Sequence, residues 1–402
     1  MEPGESHAVF LVVSLTLTRN TQCSYGLPDS AQPLYLLGER YTVRTQTPEE
    51  HDGGPMPAYE AEVERLWRHW LSCTAFTYRT GMPPLPGGLT TDVGWGCTLR
   101  SGQMLLARAL TVQCLGPEWR WSDSSEQSCG ADVYAHILRL FNDTPESPCG
   151  LHALVRHGAP CGVKVGFWLG PHVVCNAIQA LVRHNFAPGQ LNVFVLSSGG
   201  GGAPTLYRSI ADECRSEVPG HSSGVVLPPN YRTTDDPQRW TPVLLLVPLV
   251  LGLGRLNMVY APQLCKVLAM RKCCGIVGGR PGSSLFFVGC IGESALYLDP
   301  HDVQAHVADD DPESDVVAAH QCGVIRHTPL SSIDPSMALA FYAATHDEFA
   351  ALCDELQQLE HSSAGAPLLT VASSAEQTPL VASFGEDMCD EGAEDQSDWV
   401  AL

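Results

Sequence analysis

Two short stretches of this 402-residue chain carry residue types suited to nucleophilic chemistry. Cys97 follows a Gly94-Trp95-Gly96 turn. It opens a segment in which Leu99, Gly102, Leu106 and Leu110 recur at helical spacing, which predicts a helix from Cys97 through Leu115. A thiol at a helix N-terminus sits where partial positive charge and free N–H groups favour the thiolate. The same N–H groups can hold a developing oxyanion. Trp95 and the two glycines let a substrate backbone approach closely. Far downstream, Asp299-Pro300-His301 places a carboxylate and an imidazole at i and i+2. On an extended segment these share one side, and Pro300 fixes the backbone between them. A carboxylate beside an imidazole sets its tautomer and supports the imidazolium form. A nucleophilic cysteine needs such a base and orienter from elsewhere in the chain. On spacing alone each stretch keeps a plainer alternative: Cys97 as a packed small hydrophobe, and D-P-H as a turn with an incidental histidine.

The elements that must position these groups follow from apolar patterning. A short strand is predicted at 34–37 and an amphipathic helix at 59–71, where Tyr59, Val63, Leu66, Trp67 and Trp70 recur on one face. Helices are predicted at 131–141, 150–157, 171–184 and near 346–360. Strands are predicted at 192–196, 243–249, 274–277, 284–290 and 294–298. Residues 197–204 read as a glycine-rich loop and 216–241 as a long polar surface segment. Strands and helices interleave around one set of apolar runs, so one α/β or α+β domain is expected over about residues 31–372, without an internal repeat.

Composition narrows the function classes. Lys+Arg number 23 against 44 Asp+Glu, a net charge of -21, which argues against nucleic acid or an anionic membrane as a general partner. Eight acids and no base lie between Ala375 and Leu402, which reads as a solvated acidic tail. Sixteen cysteines include no C-x-x-C, and no H-E-x-x-H occurs, so a metal site is not expected and reduced, cytosolic thiols are. The run Ala8–Leu17 follows Glu2 and Glu5 rather than basic residues and is too short to span a bilayer. Val243–Leu251, with Pro248 inside it, fits a buried strand and its exit.

The stretch from Thr91 to Met104, containing G-W-G-C, resembles the active-site signature of the autophagins, the autophagy-related cysteine proteases. The resemblance continues in order through Phe76–Arg79, Gly166–Pro171, Gly275–Pro281, Tyr297–His301, Asp334–Ser336 and Phe341-Tyr342, over about residues 33–372. It implies an α+β, papain-like cysteine protease fold with a small added subdomain. It also implies roles: Cys97 as nucleophile, His301 as general base and acid, Asp299 as its orienter, Tyr78 beside the oxyanion. Trp168 and Pro281 would close over a narrow substrate groove. No cofactor is implied. The implied substrates are ubiquitin-like autophagosome modifiers of the GABARAP and light-chain types, free or conjugated to phosphatidylethanolamine. They are cut after a C-terminal glycine, with access to the autophagosomal membrane only through the substrate. The chain most resembles C/D-type vertebrate paralogues, the D type first. It departs from the family at Thr98, usually methionine, and at Leu169, usually tyrosine.

Residues 1–30 resemble nothing in the family and read as a disordered extension, and residues 373–402 as an acidic tail. The tail ends in W-x-x-L, and an extended peptide of this kind can add a strand to a modifier's sheet edge, seating Trp399 and Leu402 in two apolar pockets. Two other functions remain open on these residues: a low-turnover module that binds the modifier, and a deubiquitinase-like cysteine protease.

Overall fold

The computed structural model describes Leu27 and residues 32–42, 56–122, 130–197, 202–215, 224–228, 240–306 and 316–374. The expectations for residues 1–30 and 373–402, including Trp399 and Leu402, therefore lie outside the described residues, apart from Leu27, Ser373 and Ser374. The strands in chain order are β1 (Leu34–Leu36), β2 (Glu39–Tyr41), β3 (Tyr78–Thr80), β4 (Asn192–Val195), β5 (Thr205–Tyr207), β6 (Val243–Val250), β7 (Cys273–Arg280), β8 (Ser283–Ile291), β9 (Ser294–Leu298), β10 (Val303–Ala305), β11 (Arg326–Pro329), β12 (Ser336–Ala343) and β13 (Thr370–Ala372). The helices are α1 (Met56–Leu71), α2 (Cys97–Leu115), α3 (Ala131–Arg139), α4 (Leu151–Gly158), α5 (Pro171–Asn185), α6 (Ile210–Arg215), α7 (Ala261–Leu268) and α8 (His346–His361).

One sheet organises the chain, in the order β11-β9-β8-β7-β12-β6-β4, with β1 and β2 joined to it through β8. All its pairs are antiparallel except β4 with β6. Both faces are covered. Leu244, Leu246, Ala338, Ala340 and Tyr342 point into a core shared with α2, α3, α4 and α5. Their neighbours Leu245, Val247, Leu339 and Phe341 point into a second, smaller core closed by α6, α7 and α8. A strand buried on both faces shows no alternation, which is why β6 reads as a continuous apolar run. Leu246 turns its backbone toward β4, where its carbonyl accepts from the Leu196 amide at 2.8 Å. Pro248, two residues on, faces the same way, but β4 pairing ends at Leu246, so the missing N–H leaves no ladder bond unmade.

This is the expected α+β, papain-like arrangement. Nearly every residue of α2 is buried, because α2 is the helix at the centre of the first core. Several elements differ from the sequence expectation. The central strand β12 was not predicted, since Ala338, Ala340 and Ala343 supply none of the β-branched signal that marks a strand. Its small side chains instead leave room for α5, which packs against it. Helix α7 and the short strands β3, β5 and β10 also had no period long enough to read. The segment 216–241 is not polar surface throughout: Trp240 and Thr241 are buried, and Val225 bridges to Phe186.

Phe341 is fully buried in the second core. Phe341→Ala is expected to cost about 3–5 kcal/mol of unfolding free energy by urea titration. A loss under about 1 kcal/mol would contradict the placement of β12 in the sheet centre.

Candidate active site

The turn ahead of α2 is built on Asp92, whose side chain is fully buried. Its carboxylate accepts from the Arg79 amide at 2.7 Å and from Arg100 Nε–H at 2.7 Å. Its carbonyl accepts from the Trp95 and Gly96 amides at 3.2 and 2.9 Å. Arg100 also reaches Asp143 at 2.8 Å, so two carboxylates share one buried cation. Burial opposes that charge, and Asp143 with Asp92 outweighs it and drives the Arg100 pKa upward. Gly94 has φ +85, a conformation that strains any side chain, and a Cβ on Gly96 would lie 2.5 Å from the Asp92 carboxylate oxygen. Gly94 is thus dictated by its backbone conformation and Gly96 by the buried carboxylate beside it. The result places Cys97 at the first turn of α2, 1% exposed.

The imidazole comes from the far side of the chain. Strands β3 and β10 pair in parallel, and the Tyr78 amide donates to the Pro300 carbonyl at 2.8 Å. Tyr78 thereby grips the D-P-H segment next to Cys97. The His301 Nδ1–H donates to Asp299 Oδ1 at 2.6 Å, and the His301 amide donates to the same oxygen at 3.1 Å. The other carboxylate oxygen takes Arg326 of β11 at 3.2 Å. With Nδ1 engaged, Nε2 is the nitrogen left for the Cys97 thiol, and Ser283 Oγ lies 3.3 Å from it. The Tyr78 ring stands edge-on to His301, with centroids 5.4 Å apart, and its hydroxyl bonds to the Cys97 thiol and the Gly94 amide.

These contacts polarise the pair. Burial is the strongest influence on the Cys97 thiol and opposes ionisation. Hydrogen bonds from His301, the Ser284 amide and Tyr78 outweigh it, and the pKa falls below the ordinary thiol value. His301 is raised to about 9, first by its bond to Asp299 and then by Cys97. Tyr78 moves up, through burial and then the neighbouring Cys97, so its phenol keeps its proton and remains a donor. Buried thiols without such partners go the opposite way: desolvation pushes Cys73 up to about 11 and Cys114 and Cys175 to about 12. Cys265 also falls, through a hydrogen bond with Cys290. The arrangement favours transfer of the thiol proton to the imidazole, beside free helix N–H groups.

A shallow cleft, open to solvent, runs beside the residues that adjoin the pair in sequence and contact, lined by Thr98, Trp168, Arg280, Ser283 and Asp334 among others. Trp168 is 50% exposed there. Pro281 forms the hairpin tip between Arg280 and Ser283, which pair across it. The two residues that depart from the family pattern meet, since the Thr98 hydroxyl donates to the Leu169 carbonyl at 2.8 Å and ties the Trp168 segment to α2. Trp95 lies elsewhere: it is 5% exposed, in the core, with its indole N–H donating to the Thr91 carbonyl. Sequence reasoning missed Arg326, Ser283 and Ser284, because strand pairing rather than any local motif brings them to the site. Among the described residues no group of three or more His, Cys, Asp or Glu could hold a metal ion, and no helix is long and apolar enough to cross a membrane.

A cysteine at the head of a central helix, facing an imidazole–carboxylate pair carried by the adjoining sheet, defines a papain-like cysteine protease. Residues 63–355 match the Peptidase C54 catalytic domain. The chain is 36% identical over 364 residues to "Cysteine protease ATG4b" of Arabidopsis thaliana, covering 87% of this chain and 71% of that protein. It is 34% identical over 396 residues to "Cysteine protease ATG4a" of the same plant, covering 94% and 78%. It is 33% identical over 370 residues to "Cysteine protease ATG4D" of Xenopus laevis, covering 82% and 72%. The chain therefore belongs to the Peptidase C54 family and is a cysteine protease.

Asp92→Ala removes one of the two carboxylates on the buried Arg100 and leaves the Arg79 amide without its acceptor, and is expected to cost about 3–5 kcal/mol by chemical denaturation; an effect within about 1 kcal/mol would contradict the network. The ionisation pattern is read by site-resolved alkylation of Cys97 against pH. The midpoint lies below the ordinary thiol value, and Asp299→Asn, which removes the main support of the imidazolium, moves it upward. An unmoved midpoint would contradict the coupling. Because His301 is raised, its proton is present at neutral pH and is lost only as pH climbs through about 9. The falling limb of kcat/KM is expected near there, and a limb at the ordinary histidine value would contradict the ion pair.

Proposed function

We propose that the Cys97–His301–Asp299 constellation cleaves ubiquitin-like autophagy modifiers after their C-terminal glycine. The observation that carries this reading is the imidazole held at 2.6 Å by Asp299, its other edge turned to a thiol at the start of α2. The Cys97 thiolate attacks the glycine carbonyl carbon, and the oxyanion is held by helix N–H groups and the Tyr78 hydroxyl. The C–N bond breaks as Nε2–H of His301 protonates the leaving amine. Water then gives a proton to Nε2 and attacks the thioester, the C–S bond breaks, and the thiolate–imidazolium pair is restored. Only glycine lets a chain thread a slot narrowed by Trp168 and the Pro281 hairpin.

Modifiers of the GABARAP and light-chain types are the substrates this reading names, either as extended precursors or as phosphatidylethanolamine conjugates. The relatives called cysteine protease ATG4 support it. The Xenopus relative supports the C/D paralogue type, and of these the D type. The cytoplasm is the compartment the reading requires, and membrane is reached through the lipidated substrate. The domain limits follow: a catalytic domain over 31–372, an N-terminal extension, and an acidic tail whose Trp399 and Leu402 recruit the modifier by strand addition and raise its effective concentration.

A GABARAP-type precursor with a C-terminal extension tests this by intact mass. Wild type is expected to leave a chain ending in glycine, and Cys97→Ala to leave the precursor whole. Cleavage that survives Cys97→Ala, or no cleavage by wild type, overturns the proposal. Deleting 395–402 is expected to raise KM for lipidated modifier while leaving turnover of the soluble precursor nearly unchanged; an equal fall in kcat for both overturns the role of the tail.

A further inference from the structure

The steps just described leave one hydroxyl at the centre of the site without a role. Ser283 opens β8, half-buried, with Oγ 3.3 Å from His301 Nε2, the nitrogen that serves Cys97. We propose that Ser283 is a positioning residue that keeps the His301 ring aligned while Cys97 is acylated, so that hydrolysis of the thioester finds its base in place. The inference rests on the assignment of Cys97 and His301 above.

Nε2 changes both its proton and its partner during the reaction. In the resting pair its N–H faces a thiolate. Once the sulfur is a thioester, that charged acceptor is gone, and Asp299 restrains only the Nδ1 edge. A hydroxyl both accepts and donates. Ser283 can accept from Nε2–H before the leaving amine takes the proton, and can donate to bare Nε2 afterwards. It yields that nitrogen when water arrives to give up its own proton.

Its placement is rigid. Arg280 pairs with Ser283 across the hairpin tip. Ser284 Oγ–H is shared between Ser101 Oγ at 3.2 Å and the Gly278 carbonyl at 3.1 Å. Ser101 lies one helical turn beyond Cys97 on α2, so the strand bearing Ser283 is fastened to the helix bearing the nucleophile. The other charged or titratable groups about His301 are Asp299, Arg326, Tyr78 and Cys97, and none is altered by substitution at 283.

The test uses the full chain and the soluble GABARAP-type precursor with a C-terminal extension. Ser283→Ala is expected to lower kcat about tenfold, the scale of one hydrogen bond to a charged group, with KM falling in parallel and kcat/KM kept within about twofold. Quenched intact mass should show acyl-enzyme on Cys97 accumulating in this variant and not in wild type. Ser283→Thr, which keeps the hydroxyl, should restore kcat. An unchanged kcat, a lower kcat/KM at constant KM, or failure of the threonine variant to restore turnover overturns the inference. Should the alanine chain not fold, Ser283→Cys, a far weaker hydrogen-bonding group, is read by the same three criteria. A wild type that turns the precursor over while Ser283→Ala matches it overturns this inference alone; a wild type inert on the precursor overturns the substrate reading with it.

Discussion

A thiol as dry as Cys97 ionises only if a cation is held against it. At 1% exposure, burial alone drives a cysteine the other way, as Cys73, Cys114 and Cys175 show in the same chain. The contact that reverses this is the His301 imidazolium, and that charge in turn exists because Asp299 occupies Nδ1. Burial opposes the charge on Asp299, and His301 in the main, with Arg326 on the second carboxylate oxygen, keeps it ionised. The arrangement is a relay of alternating charge: guanidinium, carboxylate, imidazolium, thiolate. It ends at the positive end of a helix, where a last partial charge waits for an oxyanion.

Two structural devices hold that relay together. The first is the buried Asp92–Arg100–Asp143 network, which fixes the turn before α2 and dictates Gly96. Such a network is costly to desolvate, and its use here is to set geometry rather than to add stability. The second is the parallel pairing of β3 with β10, which brings Tyr78 and the D-P-H segment to one place. Both α2 and the β8 strand that faces it are then fastened by Ser284 and Ser101.

The sequence was informative where chemistry and period coincide. Helix α2 and its starting cysteine were legible to the residue, as was β9, and β6 to within one residue, because apolar runs carry their own signal. Asp299 and His301 could be read as an orienter and base from proline-fixed spacing. Tyr78, Trp168 and Pro281 drew attention only through the family resemblance, since a lone tyrosine or tryptophan has no spacing to betray it. Trp95 shows the limit of such reading: Gly94 is required by its backbone conformation and Gly96 by its closeness to Asp92, and the indole itself is core. Strand β12, Arg326 and Ser283 were hidden because alanine-rich strands lack β propensity and because pairing across a sheet leaves no local motif.

The central claim is that the resting enzyme stores an ion pair rather than a neutral thiol and imidazole. Nitrogen-15 chemical shifts of His301, followed from pH 6 to 10 in the full chain, report it directly. The account predicts that both ring nitrogens stay protonated at neutral pH and that Nε2 loses its proton near pH 9. A His301 ring already neutral at pH 7.5, with a single protonated nitrogen, would contradict it.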